Sequence, residues 1–195
     1  MKILGIDPGT IRMGVGLLEF DGSNVKLGVA ETIKTHPKDP LPKRLKELYH
    51  ALSEIFQIYR PDQVALESVF FGKDFRAAIK IGEARAIAML VAAQFSCPVS
   101  EYPPAKVKQS VCGNGAAKKH QIQFMIRSIL KLKANPPEDA ADALALAFCH
   151  HQHSKFQQKM VGAQPAVPGL SRLSPYKRNN GEKKNVPLLG RKTQR

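Results

Sequence analysis

Short apolar runs and longer stretches of helical periodicity alternate along the first 150 residues of the chain. The opening run, Ile3 to Ile6, ends at Asp7 and a Pro8-Gly9 turn, because proline fixes φ and glycine tolerates positive φ. Residues 13–20 and 25–32 have the composition of two further strands, joined by a hairpin-type connector at 21–24. The pattern therefore predicts a meander of three strands at the start of the fold.

Apolar positions at three- and four-residue spacing then predict helices over residues 41–59, 73–94, 105–112 and 116–132. Two short apolar runs between them, 63–66 and 99–102, predict strands. A last helix is opened by Pro136-Pro137 and is almost pure alanine and leucine from Ala140 to Ala147. A helix of that composition is expected to pack on a sheet with most of its surface buried.

Small residues leave two questions open at this point. Gly14 and Gly16 weaken the second strand, and they indicate either a close approach of another backbone or a simple bulge. The helix over 73–94 is rich in alanine, and its small side chains suit either packing within the chain or an interface between subunits.

Two carboxylates stand at the carboxyl ends of predicted strands. Asp7 follows the first strand and Glu67 follows the strand at 63–66. Asp7 alone is explained by a turn in which its side chain satisfies nearby backbone N–H groups. If the two strands are adjacent and parallel, however, the carboxylates lie about 4.8 Å apart at one edge of the sheet. Two anions at that distance repel each other unless a cation lies between them.

A second pair of carboxylates opens the last helix. Asp139 and Asp142 are three residues apart and share a helix face. The helix dipole explains acids in a first turn, which accounts for Glu138 and Asp139. It accounts poorly for Asp142, which is flanked by alanines and needs a partner for its charge.

Charge and composition point to an anionic partner. The chain has 195 residues, a formal charge of +14 and a pI near 9.9. Residues 151–195 contain ten Lys/Arg against one acid and many Pro, Gln and Ser, which predicts a basic, disordered tail.

Three scattered cysteines without CxxC spacing indicate neither disulfides nor zinc, and a cytoplasmic location is expected. No apolar run approaches the ~18 residues of a membrane span, and no leader segment is evident.

Three further groups each allow two interpretations. Phe70 and Phe71 are either core residues or rings available for stacking on a base. Lys118 and Lys119 follow a Gly-rich joint at a helix start, where they are either solvated or placed to meet a phosphate. The histidines at 150, 151 and 153 could bind a metal, but an exposed helix end is the favoured interpretation.

The four carboxylates, Asp7, Glu67, Asp139 and Asp142, have no cysteine or obvious histidine set near them in the sequence. Oxygen-only ligands suit Mg²⁺ or Mn²⁺. Two such ions can activate water and stabilise the leaving oxygen in a phosphoryl displacement. Together with the basic charge, this predicts a nuclease.

Four stretches resemble those of one known family, in the same order and at similar spacing. They are ILGIDPGT, LESVFFGK, VKQSVCGNGAAKKHQI and PEDAADALALAFCH, within about residues 1–153. The family is RuvC, the bacterial Holliday junction resolvases. The resemblance implies an α/β, RNase H-like fold, with a five-stranded mixed sheet of three antiparallel strands followed by parallel ones, flanked by helices. It also implies a homodimer that cuts opposed strands of four-way junction DNA with Mg²⁺, in recombination and repair.

Residue by residue, the resemblance makes the four carboxylates the metal ligands, with two ions per site. Lys108 and Lys119 correspond to basic residues at the scissile phosphate, Phe70 to an aromatic that contacts bases, and Lys118 is a further candidate for substrate binding. The helix over 73–94 corresponds to the dimer helix, and the branch-migration proteins RuvA and RuvB are the implied partners.

The expected division is a nuclease domain at 1–153 and a basic tail at 154–195, for which nonspecific DNA binding is a hypothesis.

Two other functions compete with the resolvase. An actin-like ATPase would need a second lobe and phosphate loop that this chain lacks. A module that binds junctions without cutting them would lack a carboxylate, and all four are present.

Overall fold

The computed structural model describes residues 1–22, 24–68 and 75–162, without the side chains of 75–77 and 156–162. The strands are β1 (Lys2–Asp7), β2 (Arg12–Asp21), β3 (Asn24–Lys34), β4 (Gln63–Glu67) and β5 (Val99–Tyr102). The helices are α1 (Leu41–Tyr59), α2 (Phe75–Gln94), α3 (Pro104–Cys112), α4 (Lys119–Ile129) and α5 (Glu138–Gly162). The order of elements is the one that the periodicity predicts.

The five strands form one mixed sheet in the order β3-β2-β1-β4-β5. β1 pairs antiparallel with β2, and β2 antiparallel with β3. β4 pairs parallel with β1 and with β5. The predicted sheet is therefore confirmed, including the adjacency of the first strand and the strand that ends at Glu67.

Strand side chains alternate between two helical layers because successive residues of a strand point to opposite faces. Leu4, Ile6, Val64 and Leu66 belong to a cluster of buried residues with helices α1 and α2. Ile3 and Ala65 belong to a second cluster, with residues of α3, α4 and α5. By the same alternation, Asp7 and Glu67 are directed to the α5 side of the sheet.

Helix α5 lies unusually close to the sheet, since glycines replace side chains where it crosses. A Cβ added at Gly5 would lie 1.8 Å from the carbonyl oxygen of Ala143, and one at Gly14 would lie 2.0 Å from that of Asp139. A Cβ at Gly16 would lie 2.7 Å from the Leu144 side chain. The irregularity in the β2–β3 pairing falls at Leu17/Leu18, directly after Gly16, whereas Gly14 and Gly16 themselves are paired in register with β3. The open question about Gly14 and Gly16 is thus answered by close backbone approach.

The other face of the sheet is filled by large side chains. Helix α1 contributes Leu48, Leu52 and Phe56, each with no exposed surface. Helix α2 adds small and branched residues such as Ala84, Ala88 and Val91. This layer follows the ordinary amphipathic pattern that the sequence shows at 41–59.

Two histidines in the middle of α5 depart from prediction. His150 and His151 are buried, with 6% and 8% of their surface exposed, so an exposed helix end is wrong for this pair. His150 lies 2.6 Å from the Tyr102 hydroxyl through Nδ1 and 2.7 Å from the Gln63 Oε1 through Nε2. His151 stacks on Phe20 at 3.5 Å between ring centroids. The cause is tertiary, because α5 continues along the sheet beyond the apolar stretch that the sequence shows.

Helix α5 ends at Gly162, past the predicted division at residue 153, and Met1–Gly162 forms one compact unit. The predicted disordered tail lies outside the described residues from 163 onward. Within the described part of the chain, no helix has the length and apolarity needed to cross a membrane.

Candidate active site

The parallel pairing of β1 and β4 places two carboxylates next to each other. Ile6 is the register partner of Leu66, so Asp7 and Glu67 follow at the same level. Ser68 continues this edge, and its backbone N–H donates to the carbonyl of Tyr102 on β5. The carboxyl end of the sheet therefore presents both acids on the side where α5 begins.

The start of α5 adds a third carboxylate to this edge. The helix can approach because Gly5 and Gly14 have no side chain, and its second turn brings Asp142 over the strand ends. A cavity of about 230 Å³ lies between these elements. Its lining consists of Asp7, Glu67, Pro104, Val107, Lys108, Lys119, Ile122, Asp142 and Leu146.

The first two carboxylates resist ionisation. Burial, followed by the negative charge of Glu67 and a side-chain hydrogen bond with it, raises the pKa of Asp7 from 3.8 to about 7. Burial also raises the pKa of Glu67, while its hydrogen bond with Asp7 acts in the opposite direction. The pair behaves as like charges do when they are close together and shielded from water. An added cation would relieve this repulsion.

Lys119 at the start of α4 supplies part of the positive charge. Its Nζ lies 2.9 Å from Glu138 Oε1 and 3.6 Å from Asp142 Oδ2. The hydrogen bond with Glu138 is the main cause that raises the pKa of Lys119. Burial and the nearby charge of Asp7 nevertheless raise the pKa of Asp142 to about 6. Glu138, for which the sequence indicated only a favourable interaction with the helix dipole, is thus the partner of a cavity lysine.

Asp139 does not line the cavity with the other three acids. Its Oδ2 accepts from Arg12 Nε at 2.7 Å and lies 2.7 Å from Arg12 Nη2. Arg12 begins β2, three residues after the Pro8-Gly9 turn that follows Asp7. Asp139 and Asp142 share the start of α5, as predicted. Asp142 lines the cavity, whereas Asp139 lies beside it and is paired with Arg12.

As the side chains stand, no three His, Cys, Asp or Glu residues of the described segments converge closely enough to hold one metal ion. Asp139 is paired with Arg12, and Asp142 with Lys119. The donor chemistry still fits a hard cation, because the cavity contains three carboxylates, no thiol and no imidazole. Burial, followed by repulsion from neighbouring carboxylates, raises the pKa values of Asp7 and Asp142, and a bound cation would offset both causes.

The predicted basic and aromatic residues have different outcomes. Lys108 on α3 and Lys119 line the cavity, beside the acids. Lys118 is exposed and is not among the lining residues; its backbone N–H donates to Gln121 Oε1 at the start of α4. Phe70 lies outside the described residues, so its role stays a prediction.

Sequence reasoning missed the contacts of two arginines. Arg85 of α2 donates from Nε to the backbone carbonyl of Glu67 at 3.2 Å, and it forms an ion pair with Glu101. Arg12 pairs with Asp139 across 127 positions of sequence. No periodic or motif signal marks either residue, although the position of Arg12 shortly after the Asp7 turn is a local hint.

Comparisons with known proteins agree with this architecture. A family model described as "Crossover junction endodeoxyribonuclease RuvC" matches residues 3–150. A protein of that name from Desulforamulus reducens is 50% identical over 155 residues, which is 79% of this chain and 95% of the relative. One from Dehalococcoides mccartyi is 46% identical over 157 residues, 80% of this chain and 95% of the relative.

A solved structure, "T. thermophilus RuvC in complex with Holliday junction substrate", is 34% identical, with a TM-score of 0.76. The match covers 80% of this chain and 96% of that one. The fowlpox virus Holliday junction resolvase, at 15% identity and a TM-score of 0.52, shares the fold. The RNase H-like architecture expected from the resemblance is therefore confirmed, and the chain belongs to the RuvC family of crossover junction endodeoxyribonucleases.

Proposed function

We propose that this chain resolves four-way (Holliday) DNA junctions by paired hydrolysis of phosphodiester bonds in opposed strands. The products are nicks with 5′-phosphate and 3′-hydroxyl ends, and the setting is homologous recombination and DNA repair. The observation that carries the proposal is the cavity at the sheet edge, where Asp7, Glu67 and Asp142 face Lys108 and Lys119. The complex of the Thermus thermophilus relative with a Holliday junction supports the choice of substrate.

Asp7, Glu67, Asp139 and Asp142 are the proposed metal ligands, with Mg²⁺ as the ion, Mn²⁺ as an alternative and two ions per site. Bound there, the metal would supply Lewis-acid stabilisation of a phosphoryl oxygen and a more acidic water. The support is chemical. The buried carboxylates repel one another, and the only side-chain oxygens among the described residues of the cavity lining belong to Asp7, Glu67 and Asp142. Asp139 would have to leave Arg12 to join the other three.

Lys108 and Lys119 are proposed to bind the scissile phosphate from the α3 and α4 side of the cavity. An ammonium is a compact point charge that suits a phosphate oxygen. Lys119 is oriented for this role by Glu138, which holds its Nζ at 2.9 Å. Lys118, exposed at the N-terminus of α4, would contact an adjacent phosphate.

Phe70 is proposed to contact bases at the junction centre, on the resemblance alone. Its position three residues after Glu67 keeps it close to the acidic edge in sequence. Phe70→Ala is expected to reduce cleavage of intact junctions more than cleavage of flexible ones, because a stacked ring would help to open the centre. Equal reductions on both substrates would speak against this role.

A homodimer through α2 is also proposed. Ile79 and Leu90 are 47% and 51% exposed, and their eleven-residue separation places them on one face of the helix. Between them, a Cβ added at Gly82 would have no described atom within 4 Å, so the helix is open to a partner there. Two opposed cuts need two active sites, which a two-fold dimer supplies. RuvA and RuvB are the proposed branch-migration partners.

We propose that the chain has two functional regions. A nuclease domain spans about 1–153, and a basic tail at 154–195 binds DNA without sequence preference. The tail's excess of nine positive charges supports this role. The proposed place of action is the cytoplasm.

The test is incubation of the purified chain with a synthetic four-way junction and with a linear duplex of the same sequence, with and without Mg²⁺. We expect paired nicks in the junction only, and only with Mg²⁺. Asp7→Asn should lower cleavage by about a thousandfold or more while junction binding without metal is retained, because the variant removes a ligand and no phosphate contact.

Three results would contradict the proposal. They are cleavage of both substrates alike, full activity of Asp7→Asn, and tight junction binding without cleavage in either Mg²⁺ or Mn²⁺. The last would place the chain among proteins that bind junctions without cutting them. Circular dichroism of Asp7→Asn separates a lost ligand from a lost fold.

A further inference from the structure

Arg12 makes an unusual contact for a residue at the rim of an acidic cavity. Its Nε and Nη2 both lie 2.7 Å from the same oxygen, Oδ2 of Asp139. The Arg12 side chain is 56% exposed, whereas that of Asp139 is only 18% exposed. Two charge-assisted donors therefore occupy one oxygen of a half-buried carboxylate.

The backbone of Asp139 has little freedom to move. A Cβ at Gly14 would lie 2.0 Å from the Asp139 carbonyl oxygen and 3.2 Å from its Cβ, so this turn of α5 rests on β2. The position of the Asp139 carboxylate therefore depends on the torsion angles of its side chain. The two contacts with Arg12 fix these angles. Asp139 is thereby held apart from the cavity that Asp7, Glu67 and Asp142 line.

We infer that Arg12 is a positioning residue that restrains Asp139 outside the metal site of the DNA-free protein. The inference rests on the proposed function, in which Asp139 is a metal ligand. Metal binding then competes with the Arg12 pair for one carboxylate. An arriving DNA phosphate is an anion of the kind that guanidinium groups bind well, and it could take Arg12 in exchange.

The experiment measures binding of Mn²⁺ alone to the DNA-free full-length protein, by electron paramagnetic resonance of the unbound ion. Arg12→Ala should lower the dissociation constant by about two- to fivefold, the range expected when a partly exposed ion pair no longer competes. Arg12→Gln serves as a second variant, with the same expected direction. Circular dichroism and thermal melting confirm that each variant is folded.

A matched control distinguishes the effect of the Arg12–Asp139 ion pair from the long-range effect of any positive charge near the site. Lys34 is the register partner of Arg12 on β3, is exposed, and forms no ion pair among the described residues. Lys34→Ala removes a similar charge nearby and should change the Mn²⁺ dissociation constant by less than about twofold. In an Asp139→Asn background, Arg12→Ala should have no effect, because Arg12 acts through that carboxylate.

Unchanged or weaker Mn²⁺ binding in the folded Arg12 variants would overturn the inference, and weaker binding would show that Arg12 supports the site. An equal gain with and without Asp139 would also overturn it, since the effect would then be that of charge alone. Asp139→Asn in the Arg12→Ala background, where the carboxylate is free to reach the metal, tests the proposed function separately. If that change leaves Mn²⁺ binding unaltered relative to Arg12→Ala alone, the ligand assignment fails.

Discussion

The two faces of the sheet are built on different principles. The face covered by α1 and α2 is filled with large apolar side chains, such as Leu52 and Phe56, both without exposed surface. The face covered by α5 has glycines where the helix crosses, and backbone meets backbone. Apolar filling tolerates changes of shape and supplies stability. A contact between backbones tolerates no added side chain. It does fix the distance between α5 and the strands, and therefore the position of the acids at the start of α5.

The largest effect expected from this difference is at Gly14. Gly14→Ala would place a Cβ 2.0 Å from the Asp139 carbonyl oxygen, so the start of α5 must move. We expect junction cleavage to fall by about a hundredfold or more, since displacement of about 1 Å in a catalytic group has effects of that size. The measurement is the single-turnover cleavage rate of a protein whose fold is verified by circular dichroism. Normal cleavage by this variant would show that α5 need not lie so close.

Leu52→Ala provides the counterpart on the α1 face. It removes a fully buried side chain from the large apolar cluster, and the free energy of unfolding should fall by about 2–5 kcal/mol. The cleavage rate per folded molecule should stay within about twofold, because no site residue lies on α1. Urea denaturation and the same cleavage assay test the two halves of this statement. A large loss of cleavage in folded Leu52→Ala protein would remove the distinction between the faces.

The acids on the α5 face should also make stability depend on pH and metal. The folded-state pKa of Asp7 is raised from 3.8 to about 7, so the folded protein binds a proton more tightly than the unfolded chain. That contribution is fully present below about pH 4 and is lost as pH rises to about 7, a change on the order of 4 kcal/mol. Mg²⁺ at pH 8 should restore it.

Thermal melting from pH 4 to pH 8, with and without Mg²⁺, measures this dependence, and Asp7→Asn is the control. Because the variant cannot ionise at residue 7, its decrease of stability with pH should be smaller than that of the wild-type protein, and the remaining decrease comes from Glu67 and Asp142. The variant should also lose most of the stabilisation by Mg²⁺. If the wild-type protein and the variant show the same pH profile, the buried carboxylate is not the cause.

The smallest expected effect has the opposite sign and comes from a histidine in the middle of α5. Burial is the main cause that lowers the pKa of His151 from 6.5 to about 4, and its Nδ1 is buried without a hydrogen-bond partner among the described residues. Because the folded state favours the neutral ring, stability is present above about pH 6.5 and is lost as pH falls towards 4, by about 1–2 kcal/mol. His151→Phe retains a ring beside Phe20 and should remove this loss. Urea titrations at pH 7 and pH 5 compare the two proteins, and equal losses would assign the effect elsewhere.

Most of the site could be predicted because its acids are marked locally. Asp7 and Glu67 end short apolar runs, and a strand that ends in an acid at a turn can be recognised from a few neighbouring residues. Asp142 is marked by its alanine neighbours. The partners of these acids are not marked in this way. Arg12 and Asp139 are 127 residues apart, and Glu138 meets Lys119 only because α4 and α5 pack side by side.

The sequence by itself determined the order of strands and helices and the family resemblance. These depend on periodicities of two and 3.6 residues and on short motifs, which are properties of neighbouring residues. Only the tertiary structure decided that glycines seat α5 on the sheet, that Arg12 holds Asp139, and that His150 and His151 are buried. Each of these depends on the distance between elements remote in the chain. That distance is set by how all the side chains pack together, so no local pattern records it.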